Sequence, residues 1–116
     1  MGASSTAKIV VVPFPFSDLS KAKLRPAVVL AEVERGDLIL CQITSNPYAE
    51  SNPVVIRSDD VEGGQLAKIS YARPTKLFTA HGSLVTSTLG SLNKSTMREL
   101  FDRLHEIFRT SATNIG

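Results

Sequence analysis

The chain has 116 residues, 42% of them apolar and 21% charged, which is the composition of one globular domain spanning 1–116 and not of a disordered or collagen-like segment. A fold of this length hides roughly two-thirds of the surface its unfolded chain exposes, enough for an ordinary apolar core. The longest apolar run, Ile9 to Phe16 with prolines included, falls far short of the roughly 20 residues a membrane helix needs, which excludes a helical membrane protein.

Residues 1–7 are small and mostly polar; they lack the basic start and long apolar stretch of a signal peptide and are expected to be flexible. Gly2 and Thr6 loosely match an N-myristoylation pattern, though a frayed terminus has the same composition. Cys41 is the only cysteine, so no internal disulfide is possible and a reducing cytoplasm is the natural setting. One cysteine and two scattered histidines make no zinc spacing; no metal or other cofactor is expected. The net charge of +2 is small, but it is unevenly spread. Residues 1–31 carry four bases against one acid, and residues 32–62 carry seven acids against two bases. Residues 63–94 then carry four bases and no acid. If the two basic blocks meet in space they form a patch suited to a polyanion; apart, they are solvated surface charge.

The β-branched run Ile9-Val10-Val11-Val12 reads as a strand buried on both faces or covered at a barrel wall. Pro13 and Pro15 have no N–H to give, so Phe14 to Asp18 is expected to leave the sheet as a loop carrying two exposed or half-exposed aromatics. A second strand is expected near Arg25 to Val33. Arg35-Gly36-Asp37 is turn chemistry that folds it into an antiparallel hairpin with a third strand, Leu38 to Thr44. Asn46, Pro47, Asn52 and Pro53 make residues 45–53 a loop, after which Val54-Val55-Ile56 forms a short fourth strand. An acidic loop through Ser58-Asp59-Asp60 and Gly63-Gly64 follows. A fifth strand, Lys68 to Ala72, is expected to break at Pro74 and resume through Leu77 to Thr79, with a sixth over Leu84 to Thr86. Thr96 and Glu99 have capping-box spacing and open a helix over 95–109. Its Met97, Leu100, Phe101, Leu104, Ile107 and Phe108 share one apolar face that reads as core. Six or so short strands and one terminal helix predict a small antiparallel β-barrel closed by a helix.

No phosphate-binding glycine loop and no Gly-x-Ser-x-Gly elbow is present. Cys41, inside a strand, reads as a small core hydrophobe; His81, His105 and Tyr71 read as structural or surface residues. Two features stand above these. Pro26 bars Arg25 from helical angles and so holds its guanidinium extended at a strand edge, as bidentate phosphate recognition needs. Gln42-Ile43-Thr44-Ser45-Asn46, at the exit of the third strand, brings two hydroxyls and an amide to the barrel rim. In a hairpin turning at 35–37, Thr44 lies near Lys23 to Arg25 on the partner strand, although 19 positions from Arg25 in sequence. Two plainer readings stand beside these: an ion pair of Arg25 with Glu32 or Asp18, and an ordinary strand-end threonine.

The ordered set Val11-Val12-Pro13-Phe14-Pro15-Phe16-Ser17-Asp18, Lys23-Leu24-Arg25-Pro26-Ala27-Val28-Val29-Leu30 and Ile43-Thr44-Ser45 closely resembles the MazF/PemK-like toxins of type II toxin–antitoxin systems. Ser70 to Leu77 and the Gly90-x-Leu92 step fit the same pattern, so the resemblance spans about residues 8–108. Relatives usually begin the first strand with Gly-Asp, where this chain has Ala7-Lys8. The resemblance implies an SH3-like barrel of the CcdB/MazF type, usually a homodimer. It implies a cytoplasmic, metal-independent endoribonuclease that cuts single-stranded mRNA and is held in check by a cognate antitoxin. Carried over by position, Arg25 and Thr44 are the catalytic pair. Phe14, Phe16, Ser17, Lys21, Lys23, Ser45 and Asn46 match RNA-contacting positions, and Arg73 and Lys76, from the second basic block, complete that set. The alternative is a barrel of the same fold that binds RNA or its antitoxin without cutting.

Overall fold

The computed structural model describes residues 4–15 and 22–115. Phe16, Ser17, Asp18 and Lys21, together with Gly2, lie outside the described residues. The chain forms β1 (Lys8–Pro15), β2 (Ala22–Glu32), β3 (Asp37–Thr44), β4 (Val54–Ile56), β5 (Val61–Glu62), β6 (Ser70–His81) and β7 (Ser87–Leu92), followed by α1 (Lys94–Thr113). The strands form one antiparallel sheet in the order β4-β6-β3-β2-β1-β7-β5, curled into the nearly closed barrel expected. The seventh strand is the two-residue β5, too short to leave an apolar signature in the sequence.

Strands at the middle of this sheet are covered on both faces, which accounts for their uniformly apolar runs. Ile9, Val28, Leu30, Cys41 and Ile43 turn toward the core beneath α1, with Leu100 and Leu104 from the helix. Val10, Val12, Phe14, Ala27, Val29, Leu38 and Leu40 turn to the opposite face and form a second cluster. The hairpin of β2 and β3 forms as expected. A tight 3-10 turn, Glu34–Gly36, joins its arms, with Arg35 and Gly36 at positive φ and the Val33 amide donating to the Asp37 carbonyl at 2.8 Å.

The prolines behave differently from the expectation. β1 does not end at Pro13: it stays paired with β2 through Pro15, with Phe14 opposite Lys23. Pairing of β1 with β7 stops at Val11, so both prolines lie where one side of the strand has no ladder to interrupt. Alternation along the continued strand carries Phe14 to the same face as Val10 and Val12. It is therefore buried, packed on Phe78 with ring centroids 4.0 Å apart, and not an exposed loop aromatic. Pro74 likewise does not split its strand. Cys41 pairs with Leu77 and Ile43 with Ala72, so four residues of β6, Arg73 to Lys76, oppose the single Gln42. Pro74 sits in that bulge, where its missing N–H breaks no ladder bond.

Three further boundaries move. The segment after His81 coils as a 3-10 turn, Gly82–Leu84, capped by the His81 side chain, and the strand expected at Leu84 to Thr86 lies instead at Ser87–Leu92. The helix is capped by Asn93, whose Oδ1 accepts the Thr96 amide at 2.8 Å; Thr96 is inside the first turn and buried, so the Thr96–Glu99 capping box is not the one used. Met97, Leu100 and Leu104 pack as core, but Phe108, four residues further along that face, is 61% exposed because the helix has by then run past the barrel. At the other end, Ser5 and Ala7 are tied to β2: the Ser5 amide donates to Glu32 and the Ala7 amide to the Val29 carbonyl.

Candidate functional site

The second cluster's face changes character at one end of the barrel. Along β3, period-two alternation carries Leu38 and Leu40 to that face, followed by Gln42 and Thr44; along β2 it carries Val29 and Ala27, followed by Arg25. The polar continuation of this face is an open cleft of about 560 Å³. Arg25 and Pro26 of β2 line it, with Gln42, Ile43 and Thr44 of β3, Ser45 and Asn46 beyond β3, Ser70, Arg73 and Lys76 of β6, and the edge of Phe14. Arg25 and Thr44 thus line one cavity: the β2–β3 ladder ends with Ala27 paired to Gln42, and each of the two lies two positions beyond that pair on its own strand.

Arg25 is held by backbone geometry, paired with Val12 of β1 and followed by Pro26. Among the described residues it has no ion pair, and Glu32 accepts from Ser5 instead. That contact, with a minor contribution from Lys8, lowers the Glu32 carboxyl below its ordinary value. Thr44 accepts the Asn46 amide on its Oγ1 at 3.1 Å, which leaves its own O–H hydrogen to donate. Asn46 Oδ1 accepts the Tyr48 amide at 2.9 Å, which leaves its amino group to donate as well. Local backbone bonds therefore occupy acceptor positions on both side chains and leave donors.

Arg73 is held by side chains. Its Nη1 donates to Gln42 Oε1 at 2.9 Å, and its Nε lies 3.6 Å from Glu50 Oε1. Cys41, as expected, is buried; its S–H donates to the Arg73 carbonyl at 3.1 Å, and burial pushes the thiol up to about 12. Among the described residues three cations line the cleft, one from the first basic block and two from the second, and no acid lines it. The two blocks do meet, and the result suits an anionic ligand.

Not every expected residue joins them. Lys23 stands exposed on β2 outside the cleft, and Phe14 contributes an edge, its ring being committed to Phe78. His105 is exposed on α1, and His81 lines a separate hollow of about 350 Å³ near Lys8 and Glu32. Ser70 and the buried Glu50 belong to the site's surroundings without having been singled out from sequence. No local pattern marks Glu50: it is one acid in a polar loop, and its partner is 23 positions away. No helix among the described residues is long and apolar enough to cross a membrane.

Comparison with known proteins shows the family and the fold. The family model described as PemK-like, MazF-like toxin of type II toxin–antitoxin system matches residues 5–108. The fold is shared with the Mycobacterium tuberculosis toxin MazF-mt6 at TM-score 0.68 and 16% identity, covering 88% of this chain and 96% of that one. It is shared with a MazE–MazF crystal structure from Deinococcus radiodurans at TM-score 0.69 and 15% identity, covering 90% and 94%. An endoribonuclease from a mycobacterial species, solved in complex with its cognate antitoxin, aligns at TM-score 0.65 and 13% identity, covering 90% and 91%. No curated protein matches the sequence.

Proposed function

This chain belongs to the PemK-like, MazF-like toxins of type II toxin–antitoxin systems, and from that premise we propose that it is a metal-independent endoribonuclease of single-stranded RNA. The observation that carries the reading is the shared cleft of Arg25 and Thr44, cationic and, among the described residues, free of lining carboxylates. The described residues of the groove are cations and neutral donors, which fit a phosphodiester and offer no anionic ligand to a divalent metal. RNA supplies its own nucleophile. The 2′-hydroxyl oxygen bonds to the adjacent phosphorus as the P–O5′ bond breaks, leaving a 2′,3′-cyclic phosphate and a 5′-hydroxyl. Negative charge gathers on the phosphoryl oxygens, and donors set in advance stabilise it without reorganising. In this proposal Arg25 supplies the fixed cation, Thr44 donates its remaining hydrogen to a phosphoryl oxygen, and Ser45, Asn46, Arg73 and Lys76 hold the flanking chain. The protein is further proposed to work in the cytoplasm as a homodimer, and to be silenced by an antitoxin whose acidic, partly disordered segment folds onto the same groove.

The test is cleavage of a long single-stranded transcript in excess EDTA, with end-group analysis of the fragments. New 5′-hydroxyl and 2′,3′-cyclic phosphate ends, absent with Arg25→Ala and Thr44→Ala, are expected. Salt-sensitive binding with the RNA left intact would make the chain a binding barrel instead.

A further inference from the structure

Glu50 is the only charged residue among the described ones that is buried, its side chain 3% exposed, and it sits in the loop between β3 and β4. Burying a carboxylate is unfavourable unless it is paired and hydrogen-bonded, so its surroundings reveal what it is for. Glu50 Oε1 faces Arg73 Nε at 3.6 Å and accepts the Thr75 hydroxyl at 2.5 Å. Both contacts land on the β6 bulge. There the β3 ladder skips Arg73 to Lys76 and the β4 ladder ends at Ala72, so strand pairing fixes neither residue. The fit is also imperfect in one informative way: Arg73 Nε is buried and makes no hydrogen bond. Opposite charge and the Gln42 contact, more than an ideal fork, hold the guanidinium where it lines the cleft.

Resting on the ribonuclease reading above, we infer that Glu50 is a positioning residue that fixes Arg73 toward the RNA. It touches no substrate itself. Its carboxylate takes the place of the missing ladder bonds, so that Arg73 meets a phosphate in a preset orientation. Its charge also offsets that of Arg73 as seen by an approaching polyanion. Removing the charge while keeping the shape therefore acts in opposite directions on binding and on turnover.

The experiment compares wild type with Glu50→Gln, Glu50→Asp, Arg73→Ala and the Glu50→Gln/Arg73→Ala double variant. Cleavage is measured on an RNA carrying the wild-type cut site, and affinity on the same RNA with one 2′-deoxy sugar at that site. Glu50→Gln is expected to bind the uncleavable RNA at least as tightly, with a steeper salt dependence, while kcat falls about ten- to a hundredfold. Glu50→Asp should recover part of that loss, and the double variant should be no slower than Arg73→Ala alone. Wild-type kcat in Glu50→Gln, or parallel loss of kcat and affinity, would overturn the inference. If Glu50→Gln does not fold, Thr75→Val decides: it removes one bond to Glu50 and should lower kcat a few-fold at unchanged affinity, and an unchanged kcat overturns the proposal. A wild-type protein that cuts no RNA would sink the ribonuclease reading itself, whereas an active one indifferent to Glu50→Gln sinks this inference alone.

Discussion

Arg25 and Arg73 face one cleft from walls built on different principles. Arg25 stands on β2, its backbone set by pairing with β1 and by Pro26, and among the described residues it needs no acid. Arg73 stands on a bulge without ladder partners and is held by a buried carboxylate, an amide and a thiol. A regular strand aims a side chain through its backbone, while an irregular segment must be aimed by other side chains. Activity and stability should therefore separate at the first arginine and mix at the second.

The largest expected effect is on turnover at the regular wall. Arg25→Ala or Thr44→Ala should lower kcat/KM on the order of a hundred- to thousandfold while the thermal midpoint stays in place. A midpoint that falls with Arg25→Ala would break the contrast. Arg73→Ala should do both things at once. Activity falls less, and the fold loses about 1–3 kcal/mol in a urea titration, because Glu50 is left buried without its cation; partial solvation of Arg73 keeps this below the loss for a fully buried pair.

Cys41 reports on the same wall by its reactivity. Its thiol stands at about 12 when folded against an ordinary 9.0, so whatever it contributes to stability is whole below pH 9 and is lost as pH rises toward 12. At pH 8 an alkylating reagent should leave it unmodified in the native protein and label it after urea unfolding; rapid native labelling would show that the wall opens.

The smallest effect lies far from the cleft. Ala7 occupies φ 78, the left-handed region that favours glycine, just before β1 begins at Lys8. Relief of that strain exceeds the added unfolded-state entropy, so Ala7→Gly should raise stability by about 0.5–1 kcal/mol in the same titration. RNA cleavage should not change, which shows that stability alone does not move turnover.

Much of this protein was legible locally. Turn chemistry at Arg35-Gly36 and the apolar runs either side fix an antiparallel hairpin, and antiparallel pairing alone brings residue 25 toward residue 44. Period-two and period-3.6 patterns likewise marked the barrel strands and the buried stripe of Met97, Leu100 and Leu104. The prolines misled because their cost depends on neighbours: Pro13 and Pro15 are harmless where β7 has stopped pairing, and Pro74 where β6 bulges. The helix cap passed from Thr96 to Asn93 for a similar reason. The Asn93 amide also donates to the Asp60 carbonyl, a tie to a distant loop that no spacing rule reads.

The chain by itself, then, determined the strand order of the central hairpin, the polar end of its second face and the placement of Arg25, because each follows from contacts between near neighbours or from alternation. Tertiary structure alone decided that Phe14 is buried, that Arg73 and Lys76 reach the same cleft, and that Glu50 stands behind Arg73. Those depend on where a sheet stops pairing and on a buried acid meeting a partly buried cation 23 residues away, which no local pattern encodes.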